Sequence, residues 1–239
     1  MRALLKIRLS WFFFGFLAIF TLLVYKLPSV TFSSGALTLF SVNSFLYGFY
    51  ISPVLSGQKQ RIDDLNRTIR AEANALFSIL LLTKKLPRRS RNIIQSLCED
   101  YMEASSKERR PAEGEIEYQQ LISYCLEYDG KAPELIEKIL NGLVANQQNR
   151  SQLAMQLGNK VFSNEWWIML VLFGITLGFV LFLAVPGGVV MHLVKALLCT
   201  GLSMLMINLV KFSTLTHKKA KNIWDPLDHL KTSRFRQID

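Results

Sequence analysis

The side chains with the most chemistry to offer sit where an apolar environment makes them costly. Asn43, Tyr47 and Tyr50 lie in a stretch, 27–58, that contains no Lys, Arg, Asp or Glu. Their i, i+4, i+7 spacing puts them on one face of a helix. Polar groups inside a membrane span either line an aqueous path or join helices through hydrogen bonds. Ser41, Ser44, Gly48 and Ser52 fit either reading. His192 and Lys195 are three apart and share a face in another apolar stretch. Lys195 lies roughly 10 Å from the nearest turn at the rise of an α-helix. It either snorkels to the membrane surface or, repeated around an oligomer, forms a cationic ring that favours anions. Asn208, at the other end of that stretch, serves as a gate or a packing contact.

Elsewhere the chemistry is sparse. There is no phosphate-binding glycine loop, no HExxH and no GxSxG, so an enzyme is not expected, nor is a cofactor. Cys98, Cys125 and Cys199 form no CxxC and pair with no nearby His, which reads as three reduced thiols. His192, His217 and His229 are scattered. Glu113, Glu115 and Glu117 lack the spacing of a calcium loop and read as a solvated helix face. Glu72 lies among Arg67, Arg70 and Ala71 on a helix and is expected in an ion pair, either within that helix or with another one.

These residues need membrane helices to hold them. The chain has 239 residues, 50% hydrophobic and only 19% charged. Charge is absent from 9–25, 27–58, 166–194 and 196–210. The expected class is therefore all-α, a polytopic membrane protein with spans at about 9–26, 36–55, 166–185 and 189–210. Strict alternation, the mark of a membrane barrel, is missing. A cleaved signal peptide is the alternative for the first span, behind Arg2, Lys6 and Arg8, but its apolar run is long for one. The connections 27–35 and 186–188 carry no charge, whereas Lys and Arg fill every other connection. By the positive-inside rule both termini and the middle segment are cytoplasmic, and the two turns are outside. Trp166 and Trp167 then mark the inner interface and Tyr25 the outer one. The net charge of +10 follows this topology, and the basic residues form no compact patch for nucleic acid.

The expected organisation is a first hairpin at 1–56, a cytoplasmic helical domain at 57–165, a second hairpin at 166–211 and a basic tail at 212–239. The middle domain holds 16 basic and 15 acidic residues. Ile62, Leu65, Ile69, Ala73, Leu76 and Leu80 recur at helical spacing directly after the second span, so that span is expected to continue as one long helix until Pro87. A second helix carries Ile93, Ile94, Leu97 and Tyr101. Arg109 to Gly114 is a polar break. A third carries Leu121, Ile122, Cys125 and Tyr128. A fourth carries Leu135, Ile136, Ile139, Leu140, Leu143, Leu153 and Leu157, and is expected to run on toward the third span.

The Arg70-Ala71-Glu72-Ala73-Asn74-Ala75-Leu76 run, the Lys85-Leu86-Pro87 stop and Tyr101 resemble the bestrophin-like family of four-span membrane proteins. So do Asn164-Glu165-Trp166-Trp167, the Val185-Pro186-Gly187-Gly188 turn and Trp224-Asp225-Pro226-Leu227. The Pro-Phe-x-Gly step expected after the fourth span is absent. The resemblance implies a homo-oligomeric channel of the plasma membrane, with a pentamer as the suggested count, conducting small inorganic ions, with anions the implied class. It implies no calcium ligand here. The pore-lining candidates are Asn43, Tyr47, Tyr50, His192, Lys195 and Asn208. Two other classes also place two hairpins around a cytoplasmic domain: a stator-type ion-conducting unit, and a non-conducting scaffold or sensor. Pro186 lies in a turn rather than inside a span, which counts against the stator.

Overall fold

The structure, a computed structural model, describes residues 7–108, 114–158, 161, 163–185, 187–216 and 222–232. The polar break at 109–113, Pro186, His217 and most basic residues of both termini lie outside that range. The described residues form helices and no strand: α1 (Leu9–Lys26), α2 (Ser34–Thr83), α3 (Arg88–Glu108), α4 (Glu115–Leu126), α5 (Pro133–Gly158), α6 (Ser163–Phe182), α7 (Gly188–Ser213) and α8 (Asp225–Thr232). They fall into two compact units, 1–60 with 160–218 and 61–159 with 219–239.

In the first unit, α1, α6 and α7 are long and apolar enough to cross a membrane. The uncharged part of α2 is less apolar, because Ser41, Asn43, Ser44, Tyr47, Tyr50 and Ser52 interrupt it. Leu27 is extended, as the residue before Pro28 prefers, and this ends α1. Ser33 caps α2, its hydroxyl accepting from the Ala36 amide at 3.4 Å. Helix α2 continues through Pro53. α1 packs against α6 and α7, and α6 against α7. One small core joins Phe20, Val180, Ala196 and Cys199. Another joins Tyr47 and Ile51 to Val161, Met169, Met206 and Leu209. Most other apolar side chains of this unit point outward, Trp11, Leu39, Phe45, Phe49 and Val189 among them. A water-soluble fold does not leave that much apolar surface open.

The α6–α7 connection needs its glycines. Gly187 has φ +140°, and a Cβ there would meet the Met191 Cγ at 2.4 Å; Gly188 has φ +65°. Both are conformations that glycine adopts without strain. Before this turn the chain is extended. Val30 donates to the Phe182 carbonyl at 2.7 Å and accepts from the Ala184 amide at 2.9 Å, where α6 ends at Phe182.

The second unit is amphipathic helices around one core. α3 buries Ile94, Cys98, Tyr101 and Met102, and α4 buries Tyr118, Leu121 and Cys125. α5 buries Ile136, Ile139, Leu143 and Leu153, and α2 buries Ile62 to Leu80 along one stripe. The spacings of three and four are those of a helix with one apolar face. Within the basic tail, Ile223, Trp224, Leu227 and Leu230 are buried, and α8 packs against α3. The fourth helix of the domain does not run on into the third span. α5 is described as far as Gly158, and Val161 is not helical.

Candidate functional site

Asn43, Tyr47 and Tyr50 share a face, as their spacing requires, and that face meets α6 and α7 of the same chain. Asn43 donates its amide to the Thr176 hydroxyl at 2.8 Å and to the Leu172 carbonyl at 3.2 Å. Thr176 itself donates to the Leu172 carbonyl at 2.8 Å. Tyr47 is buried in the core with Met206 and Leu209, and Tyr50 packs on its edge. The Tyr47 hydroxyl and the Ser44 hydroxyl are buried without a hydrogen-bond partner among the described residues. The flank of α2 beside that face carries Leu39, Val42, Leu46 and Phe49, 46–72% exposed.

His192 and Lys195 also turn to different work. The Lys195 ammonium donates to the Leu183 carbonyl at 2.8 Å and the Leu181 carbonyl at 3.1 Å. Those carbonyls lie in and just past the last turn of α6, where carbonyls lack a partner within the helix. A cation placed there also complements the negative helix end. His192 stacks on Tyr25, centroids 5.2 Å apart, with its Nδ1 2.8 Å from the Gly188 carbonyl oxygen. Asn208 is half-buried on α7. So the six residues do not converge on one surface. Asn43, Tyr47 and Tyr50 form one group, His192 and Lys195 hold the α6–α7 turn region, and Asn208 stands apart.

The densest chemistry lies in the second unit, where α2, α3, α4 and α5 each bring a polar residue to the core. Glu72 does not pair with Arg67 or Arg70. Its helix phase is that of Ile69 and Leu76, so it points inward, 1% exposed. The Tyr101 hydroxyl donates to Glu72 Oε1. Arg150 donates from Nε to the Tyr101 oxygen at 3.1 Å, from Nη1 to Gln147 at 2.8 Å and from Nη2 to Glu115 at 2.6 Å. Its guanidinium lies 3.8 Å from the centre of the Tyr118 ring and 5.2 Å from that of Tyr101, close enough for cation–π attraction. Tyr118 donates to the Leu143 carbonyl at 2.7 Å and accepts from Asn146 at 3.3 Å. Gly114 lies tight against this group, since a Cβ there would come within 2.6 Å of the Ser105 hydroxyl.

Burial sets the electrostatics. It pushes the Glu72 carboxyl above its usual range, against the Tyr101 hydrogen bond and the Arg150 charge, which pull it down. Burial and then the Glu72 charge raise the Tyr101 phenol. Burial lifts the Tyr118 phenol to about 12 and the Cys98 and Cys125 thiols to about 12 and about 11. Those thiols are inert rather than reactive. Glu115, expected on a solvated face, is an ion-pair partner of Arg150, because the first turn of α4 abuts α5. Glu113 lies outside the described residues, and the described residues hold no group of acidic, His or Cys side chains that could bind a metal.

Two further features frame the unit. Arg61 donates to the Gln156 carbonyl at 2.6 Å and the Leu157 carbonyl at 3.0 Å, tying the C-terminal end of α5 to α2. Burial lowers its guanidinium pKa. On the other side of α2, Asp63, Arg67, Arg70 and Asn74 form an open groove of about 910 Å³ with Asp225 and His229.

The sequence carried a sign of the buried network. Asn146 and Arg150 fill the gap in the α5 stripe between Leu143 and Leu153, in phase with both. A polar residue in core phase needs a buried partner, and Glu72 on α2 is in core phase too.

A family model describing the bestrophin-like domain matches residues 8–217. No curated protein and no solved structure matches the chain. The matched range includes Glu72, Tyr101, Glu115 and Arg150.

Proposed function

Because the chain belongs to the bestrophin-like family, we propose that it is an oligomeric ion channel of the plasma membrane. It crosses the bilayer four times as two hairpins, with both termini and the helical unit in the cytoplasm. α1, α6 and α7 supply three spans and the uncharged part of α2 the fourth. The observation that carries this reading is the character of α2. It has no charge from Ser34 to Gln58, yet it is more polar than the three helices beside it. A helix that meets only lipid does not need that polarity. The path runs along a symmetry axis that α2 helices of several copies surround.

Asn43, Tyr47 and Tyr50 set the position of α2 against α6 and α7. The free face, Leu39, Val42, Leu46 and Phe49, is the one that the axis meets, a constriction that gates by excluding water. Lys195 and His192 support the pathway by fixing the α6–α7 turn. The basic segments on the inner side favour anions over cations at the cytoplasmic mouth. One helix, α2, belongs to both units, so a rearrangement of the helical unit reaches the pore by direct covalent continuity.

Single-channel recording of the purified protein in planar bilayers tests this. Discrete current steps are expected. Phe49→Ala is expected to change conductance or open probability, whereas Asn43→Leu leaves selectivity unchanged. The open groove beside Arg67 and Arg70 favours one alternative, a non-conducting sensor that binds a polar partner. The absence of current under every ionic gradient would establish that alternative.

A further inference from the structure

The core of the helical unit contains a charge imbalance. Glu72 and Glu115 share one guanidinium, Arg150. Glu115 has the direct ion pair, at 2.6 Å, with a side chain 42% exposed. Glu72 is 1% exposed and reaches Arg150 only through the Tyr101 hydroxyl. Its second oxygen, Oε2, is buried without a hydrogen bond. Among the described residues, the other titratable groups coupled to it are Tyr101 on α3 and Tyr118 on α4, both neutral at physiological pH. Arg70, close by on α2, is exposed. With Glu72 ionised the group carries two carboxylates and one cation. With Glu72 protonated it is neutral. A buried charge without its own counter-ion is unfavourable, and the carboxylate in water cannot be the one that yields.

We infer that Glu72 is a proton-binding site of the helical unit, holding its proton at neutral pH while Glu115 holds Arg150. Loss of that proton to solvent leaves a carboxylate that competes with Glu115 for Arg150. Glu115 belongs to the first turn of α4, so the competition loosens α4 from α5. Protons in the cytoplasm thereby set how tightly the unit is closed. This inference does not depend on conduction.

Infrared difference spectroscopy of the full-length protein in lipid nanodiscs reads the protonation directly. The wild type is expected to show a protonated-carboxyl stretch at neutral pH that disappears as pH rises, and Glu72→Gln is expected to lack it. Glu115→Gln frees Arg150 for Glu72. Its band is expected to titrate about one pH unit lower, a tenfold weaker proton affinity. Glu115 is partly exposed, so this variant keeps the test open even if Glu72→Gln misfolds. A wild type without the band at neutral pH overturns the inference. So does a band that persists in Glu72→Gln, or one whose midpoint Glu115→Gln leaves in place.

Discussion

The two units solve the same problem, polar side chains away from water, in opposite ways. In the apolar unit three polar side chains answer to backbone carbonyls. Asn43 bonds the Leu172 carbonyl, Lys195 the carbonyls of Leu181 and Leu183, and Lys211 the Ile7 carbonyl at 2.5 Å. In the other unit side chains answer one another: Glu72, Tyr101, Arg150 and Glu115 form a chain across four helices. A backbone carbonyl carries no net charge and cannot titrate. Polar groups paired with it lock helix ends in place at any physiological pH. A network of acids and one cation has more than one arrangement, and proton concentration chooses between them. The contrast assigns rigidity to the first unit and responsiveness to the second.

The largest effect expected from breaking that contrast is at Arg150. Arg150→Met leaves Glu115 without its partner and removes the cation over the Tyr118 ring. A hydrogen bond to a charged group is worth about 1.5–3 kcal/mol, Arg150 makes several, and thermal denaturation in detergent should show the largest fall in midpoint of these variants. Lys195→Met is expected to cost roughly 1.5–3 kcal/mol, since two charge-assisted hydrogen bonds go. The amides of 181–184 should then exchange faster with deuterium while those of α3 and α4 do not change. Asn43→Leu is smaller, about 0.6 and at most about 1.7 kcal/mol, as for hydrogen bonds between membrane helices generally. If Asn43→Leu shifted ion selectivity instead, the face that packs on α6 would have to be the pore face.

The pH dependence sharpens the contrast most finely. A carboxyl whose folded-state pKa is raised binds more protons folded than unfolded. Its favourable contribution is present below the ordinary glutamate value and is lost as pH rises through the folded value. Denaturation of the wild type from mildly acidic to neutral pH should show that decline in the unit containing Glu72. Glu72→Gln should flatten it, and Lys195→Met should leave it unchanged.

Much of this was legible in the residues. Charge-free runs locate three strongly apolar helices because burial in lipid acts on composition alone. The stripe from Ile62 to Leu80, with no breaker before Pro87, makes the 50-residue α2 readable. The partner of Glu72 was not: a pair within α2 and one with another helix were both open, and only the packing turns Arg67 and Arg70 outward and brings Tyr101 to Glu72. Glu115 keeps a partly solvated face, 42% exposed, but its ion-pair partner was not readable because it lies on another helix, 35 positions away. The placement of Lys195 depended on where α6 ends, and there Val30 pairs across more than a hundred residues. Spacing within one helix reveals a face. It does not reveal what the face meets.

Current through a planar bilayer containing the purified full-length protein tests the central claim most directly. The account predicts discrete single-channel steps that persist in Asn43→Leu and change in amplitude or open time in Phe49→Ala. A membrane that stays silent under every ionic gradient, with protein present and folded, would contradict it.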